Sequence, residues 1–225
     1  MKNNDFPVGF LFDFDGVIVN SVDSHVNAWK EAFEKIFHKK LTYFPHEELA
    51  GKSPHLISEH LANAAGSIEK SLELYLLKGD ILHSSNTPPI LLPGVKEIQQ
   101  FLANRSIPHG IASNATRMFV KNSVAQLDLG FKHIFGLENY KFPKPNPEAY
   151  ITLANHLEIP AREYKNVWVF EDSLTGTKAA VDAGMVPIGI LTMNTKEQME
   201  AAGSKHTFPT LLEAFEYIEN PANFN

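Results

Sequence analysis

Asp13 and Asp15 stand one residue apart at the end of the apolar run FLFDFDG. In an extended chain a spacing of two directs both side chains to the same side, here out of a strand's carboxyl end, where open α/β sheets bind ligands. Like charges held so close raise each other's pKa unless a proton or a cation lies between them. A turn is the competing reading of the pair alone, because Asp and the Gly16 that follows both favour turns.

The stretch VWVFEDSLTG repeats the layout: an apolar run ends in Glu171 and Asp172, with Ser173 suited to cap a helix. Carboxylates converging from two strand ends offer hard oxygen ligands. With no cysteine in the chain and no histidine pair at ligand spacing, that donor set suits octahedral magnesium better than zinc. Asp13, Asp172 and a backbone carbonyl supply the protein oxygens in this reading.

Two further segments hold what an anionic substrate needs. GIASNAT delivers Ser113 and Asn114 just before a helix N-terminus, whose backbone N–H groups can donate. FPKPNPEAY holds Lys144 between Pro143 and Pro145, which restrict the local backbone and make the lysine's presentation stiff. Taken singly, Ser113 reads equally as a helix cap and Lys144 as a solvated loop charge. The acidic strand ends give them a joint purpose.

These residues require a scaffold that brings separate strand ends together. From Pro93 onward, short apolar runs alternate with helical periodicity, the pattern of repeated βα units and a doubly wound, Rossmann-like parallel sheet. Strands are predicted near 9–14, 109–113, 132–135, 166–170 and 186–191, with helices near 95–104, 116–127, 147–157 and 174–183. Residues 21–87 break the rhythm and read only as helices. Val26, Trp29, Phe33, Ile36 and Phe37 fall at helical spacing, as do Leu56, Ile57, His60, Leu61 and Ala64, then Leu72, Tyr75, Leu76 and Leu82. The expected division is a core of 1–20 and 88–225 with a small helical bundle, 21–87, inserted through two adjacent linkers. Glu219–Asn225 reads as a frayed polar tail.

Bulk properties narrow the class. The 225 residues, 44% of them hydrophobic, suffice for one core and a smaller insert. A formal charge of −6 without a run of Lys or Arg gives no electrostatic basis for binding nucleic acid or an anionic membrane. The absence of cysteine excludes disulfides and thiolate chemistry, and the first residues hold no signal-peptide core, so the expected location is cytoplasmic.

The blocks DFDGV, IASN, PKP and VFEDSLTG, in this order and at these separations, resemble the haloacid dehalogenase superfamily of phosphotransferases, over nearly the whole chain. The helical insert after the first block looks like that superfamily's cap. The resemblance implies that Asp13 is a nucleophile forming an aspartyl phosphate and that Asp15 is the general acid and base. It further implies that Ser113 holds a phosphoryl oxygen, that Lys144 offsets charge, and that Asp13, the Asp15 carbonyl and Asp172 hold magnesium with support from Glu171. Asp15 favours a phosphate ester over a carbon–halogen bond, which needs no protonated leaving group.

Within that superfamily the chain is most similar to the β-phosphoglucomutases and small sugar- or polyol-phosphate phosphatases. His25 and Lys78 fall where the mutases carry cap residues that hold the general acid and grip a phosphate, so both are substrate-binding candidates beside Asn114. The mutase cap carries an arginine for a second phosphate directly after Gly-x-Ser, but this chain reads Gly51-Lys52-Ser53-Pro54, so no arginine stands there and Lys52 is the candidate to substitute for it. Lysine lacks the planar guanidinium fork, which favours hydrolysis over phosphate transfer within a hexose. The expected substrate is a small phosphorylated metabolite and the expected assembly a monomer or weak homodimer. A hexose-phosphate mutase and a catalytically idle binder of phosphorylated ligands are the alternatives.

Overall fold

A computed structural model describes residues 6–45, 49 and 54–224. They fall into two compact units, one running to Asn20 and resuming at Ile90, the other spanning Ser21–Pro89. In chain order the elements begin with β1 (Gly9–Phe12) and β2 (Val19–Asn20). The second unit contributes α1 (Val22–Phe37), α2 (Pro54–Ala64) and α3 (Ser71–Ser84). The first then resumes with β3 (Ile90–Leu91), α4 (Val95–Asn104), β4 (His109–Ala112), α5 (Arg117–Gln126), β5 (Ile134–Phe135) and α6 (Glu148–His156). It closes with β6 (Val167–Glu171), α7 (Leu174–Asp182), β7 (Val186–Ile190), α8 (Lys196–Ala202), β8 (His206–Phe208) and α9 (Leu211–Glu219). Among the described residues no helix is long and apolar enough to cross a membrane.

Six strands form one parallel sheet in the order β5-β4-β1-β6-β7-β8. This is the doubly wound α/β fold that alternating βα units require. Its chain order reverses at β1, which lies between β4 and β6, so the switch point falls beside Asp13. Every residue of β1 and β6 is buried, which explains why GFLF and VWVFE run apolar without alternation. Phe10 and Phe12 stack on Phe170 across the two strands, with ring centroids 6.1 Å and 4.9 Å apart.

The segments leaving and re-entering this unit pair with each other. Strands β2 and β3 are antiparallel, with Val19 opposite Leu91 and Asn20 opposite Ile90, a small ribbon absent from the sequence expectation. The last βα repeat is a second addition: β8 is only three residues, all half-buried, too short and too polar to register as an apolar run. The C-terminal segment corrects the expectation of a frayed tail. Pro221–Phe224 forms a helical turn, and the Phe224 ring lies 5.0 Å from Phe6 and 5.7 Å from Trp168. One aromatic anchor holds an otherwise polar segment.

The helical unit packs around Trp29, Phe33, Ile36, Leu61 and Leu74, with Phe37 at the margin. Helix α3 does not present the face that apolar spacing suggests. Leu72 and Leu76 are 59% and 55% exposed, whereas Leu74, Lys78 and Leu82 are buried. The buried stripe runs at a spacing of four through a lysine, which a search for apolar periodicity passes over.

Candidate active site

The site begins with the register of β1 and β6. Phe12 pairs with Phe170, and the Asp13 N–H donates to the Phe170 carbonyl at 2.9 Å, so Asp13 emerges beside Glu171. Carboxylate oxygens of Asp13, Glu171 and Asp172 all lie within 4.8 Å of one another, and all three residues are buried. Beyond Asp13 the chain turns sharply: the Gly16 N–H donates to the Val19 carbonyl at 2.7 Å, and Asp15 bridges Val19, half-buried. Gly16 has φ +79°, and a β-carbon there would lie 1.7 Å from Asp172 Oδ2. The glycine is required twice, for the left-handed turn and for the space that the neighbouring carboxylate fills.

Lys144 reaches into this cluster from the loop before α6. Its ammonium donates to Asp13 Oδ1 at 2.6 Å and to Glu171 Oε1 at 2.7 Å, fully inside the protein. Burial works against its charge, but the two carboxylates outweigh it and hold the lysine above its ordinary pKa. Conversely, burial lifts the Asp13 carboxyl to about 7, opposed by Lys144 and aided by Glu171 and Asp15. Asp172 is raised as well, by burial and then by the neighbouring carboxylates. Fully ionised, three buried carboxylates around one ammonium would carry an excess of negative charge, which a cation would neutralise. Hard oxygen donors, the excess charge and the cradle opened by Gly16 fit a divalent metal ion.

Each member is held by neighbours. Tyr150 donates to Glu171 Oε1, and its ring lies under the Lys144 ammonium, 4.5 Å from nitrogen to centroid. Ser173 Oγ donates to Glu171 Oε2 at 2.9 Å and accepts from the Gly176 N–H at 3.0 Å, capping α7 as its position suggested. Glu171 thus has both oxygens engaged by Lys144, Tyr150 and Ser173. Asn114 Oδ1 accepts from the Lys144 N–H at 3.0 Å, while Asn114 Nδ2 donates to the Lys144 carbonyl at 3.2 Å. This reciprocal clamp fixes the lysine's backbone from β4. Ser113 is buried, accepts from the Ala115 N–H through Oγ at 3.0 Å, and keeps a hydroxyl proton to donate. It is Thr116, three residues on, that caps α5. Tyr140 donates to the Ser113 carbonyl.

A model of the haloacid dehalogenase-like hydrolases matches residues 10–190. The chain belongs to that family. β-Phosphoglucomutase of Bacillus subtilis is 27% identical over 80% of this chain and 81% of its own. Validoxylamine A 7'-phosphate phosphatase of Streptomyces hygroscopicus subsp. limoneus is 24% identical over 85% and 89%. Among solved structures, the family IA, variant 3 hydrolase of Entamoeba histolytica superposes with a TM-score of 0.73 at 24% identity, covering 94% of this chain and 99% of that one.

For a haloacid dehalogenase-like hydrolase, the core unit brings together Asp13, Asp15, Ser113, Asn114, Glu171 and Asp172 past neighbouring strand ends, with Lys144 reaching in from the loop before α6. Two other candidates lie in the helical unit. The Lys78 ammonium donates to His25 Nδ1 at 2.9 Å and sits 5.3 Å from the Trp29 ring centroid. Burial and then Lys78 lower the His25 pKa to about 3, so the imidazole is neutral and accepts. Lys52 lies outside the described residues. Four residues of this hydrolase's site carry no motif of their own: Tyr140, Tyr150, Thr192 and Asn194. Thr192 Oγ1 is 3.2 Å from Asp172 Oδ2 and Asn194 Nδ2 donates to the Asp172 carbonyl at 2.7 Å. For the last two the one available signal is position, just past the end of a predicted strand.

Proposed function

We propose that the protein is a magnesium-dependent phosphatase of a small phosphorylated metabolite, a sugar or polyol monophosphate. The observation that carries this reading is the buried Asp13–Lys144–Glu171 triad beside Asp172, with contacts of 2.6 and 2.7 Å to the ammonium. Asp13, through the oxygen not engaged by Lys144, attacks phosphorus and the bond to the ester oxygen breaks, leaving an aspartyl phosphate. Asp15 gives its proton to the departing alkoxide, then takes one from the water that cleaves the acyl phosphate and restores Asp13. Ser113 donates to a phosphoryl oxygen. Lys144 balances charge on Asp13 and on the phosphoryl group, its direction set by Glu171 and by the Asn114 clamp.

Asp13, Asp172 and the Asp15 carbonyl would hold magnesium, which when bound neutralises the cluster and polarises the phosphoryl oxygens. Glu171, with both oxygens engaged, acts in this reading as the anchor of Lys144. The neutral His25 ring and the Lys78 ammonium of the helical unit are assigned to substrate recognition. Hydrolysis is favoured over phosphate transfer within a hexose by the lack of an arginine after Gly51-Lys52-Ser53, where Pro54 stands; one relative is a mutase by name and another a phosphatase.

A phosphate-release screen over sugar and polyol phosphates, with magnesium or with EDTA, tests the reading. Release is expected only with magnesium, and Asp13→Asn is expected to lose at least ~10³-fold in kcat, as removal of a covalent nucleophile does. Asn at 13 with unimpaired turnover would refute it. Glucose 6-phosphate formed from β-glucose 1-phosphate without net phosphate release would make it a mutase.

A further inference from the structure

The two loops bearing the proposed metal ligands are joined by a third. After β7 the chain runs Leu191-Thr192-Met193-Asn194, and Thr192 Oγ1 lies 2.7 Å from the Gly16 carbonyl and 3.2 Å from Asp172 Oδ2. A single hydroxyl therefore spans the turn after β1 and the carboxylate after β6. Two residues on, Asn194 Nδ2 donates to the Asp172 backbone carbonyl at 2.7 Å. Met193, between the two anchors, is 67% exposed, so polar contacts and not apolar packing hold this loop against the site.

The geometry has a steric partner. Gly16 has no β-carbon where Asp172 Oδ2 would meet it at 1.7 Å, so the carboxylate is pressed close to the β1 turn. Close approach alone leaves that carboxylate able to rotate. The Thr192 hydroxyl, with its proton within reach of both the Gly16 carbonyl and Asp172, limits the rotation and ties the turn to it.

We infer that Thr192 is a positioning residue that sets the affinity of the site for its divalent cation by locking the Gly16 turn and the Asp172 carboxylate in one arrangement, with Asn194 holding the Asp172 backbone. The inference rests on the proposed metal-dependent phosphatase reading and adds to it the residue that tunes the metal. Outer contacts of this kind change metal affinity by ~10–100-fold when removed. Thr192 is exposed, so its substitution leaves the core intact.

The test is calorimetric titration of magnesium chloride into the substrate-free full chain, for the parent and for Thr192→Val, Thr192→Ser and Asp172→Asn. Thr192→Val is expected to bind magnesium at least ~10-fold more weakly, and Thr192→Ser, which keeps the hydroxyl, to recover most of the loss. In steady state the magnesium concentration for half-maximal rate should rise with the dissociation constant, while kcat at saturating magnesium falls less. Affinity of Thr192→Val within about twofold of the parent, with Asp172→Asn binding abolished, overturns the inference alone. A parent that binds no magnesium, or an Asp172→Asn chain that binds it normally, overturns the inference and the reading beneath it. Should Thr192→Val melt below the assay temperature, Thr192→Ala takes its place against Thr192→Ser, with the same expected loss and the same result overturning the inference.

Discussion

As the proposed nucleophile, Asp13 has to be an anion in a place that disfavours anions. Burial raises its carboxyl from 3.8 to about 7, despite the ammonium at 2.6 Å. A carboxyl whose folded pKa exceeds its unfolded one favours folding while protonated. Its stabilising contribution is therefore full below about pH 3.8 and is lost as pH rises through about 7. Asn has the same shape and never ionises. In EDTA, Asp13→Asn is expected to melt several degrees above the parent at pH above 7, with the gap narrowing toward pH 3.8. Scanning calorimetry across that range checks it, and a gap independent of pH would show that Asp13 is not the titrating group. Tyr150 poses a simpler question. Burial, then Glu171, raises its pKa, so the phenol stays protonated and donates. Tyr150→Phe leaves a buried carboxylate short of one donor, and a loss of ~1–3 kcal/mol in urea denaturation is expected.

At the scale of elements, the turns after β1 and β6 matter more than the strands, because the strands need only be apolar and parallel. Gly16 and Gly184 both adopt positive φ, +79° and +73°, but a β-carbon at 184 meets nothing within 4 Å, whereas one at 16 meets Asp172. The two alanine variants separate backbone strain from displacement of a ligand. Each is expected to lose ~1–2 kcal/mol of stability from left-handed strain. Only Gly16→Ala should also lose phosphatase activity, by ~10²-fold or more, since a misplaced group at the reacting centre has that effect. Equal activities in the two variants would contradict the cradle described above.

The whole molecule is a sheet unit interrupted by a helical one, and the interruption occurs at a single ribbon. Asn20 and Ile90 are register partners in β2 and β3, so the ends of the helical unit enter and leave side by side. Deleting 21–89 and joining Asn20 to Ile90 through Asn-Gly should convert the ribbon into a hairpin with a two-residue turn. The shortened chain is expected to retain a cooperative thermal transition and the circular dichroism of an α/β fold. Discrimination among phosphate esters should fall, because the His25–Lys78 pair, proposed to recognise the substrate, departs with the deleted unit. A molten shortened chain would mean that the sheet unit does not fold alone.

Much of this protein is legible in the chain alone. Each carboxylate, Ser113 and Lys144 lie in short blocks beside apolar runs, and period and turn chemistry are local properties that a single strand or helix expresses by itself. Doubly wound topology follows from their alternation. Tertiary structure decided what depends on distance between strangers in sequence. Leu72 and Leu76 face outward while Leu74, Lys78 and Leu82 turn inward on α3, and Phe224 is anchored because Phe6 and Trp168 are near. Glu171 meets Tyr150 of α6 and Lys144 of the loop before it, and Asp172 meets Thr192, contacts that only the assembled sheet brings together. The physical reason is one of range: backbone preference acts over a few residues, whereas desolvation and hydrogen bonding at the carboxylates act between strand ends that only the assembled sheet makes adjacent.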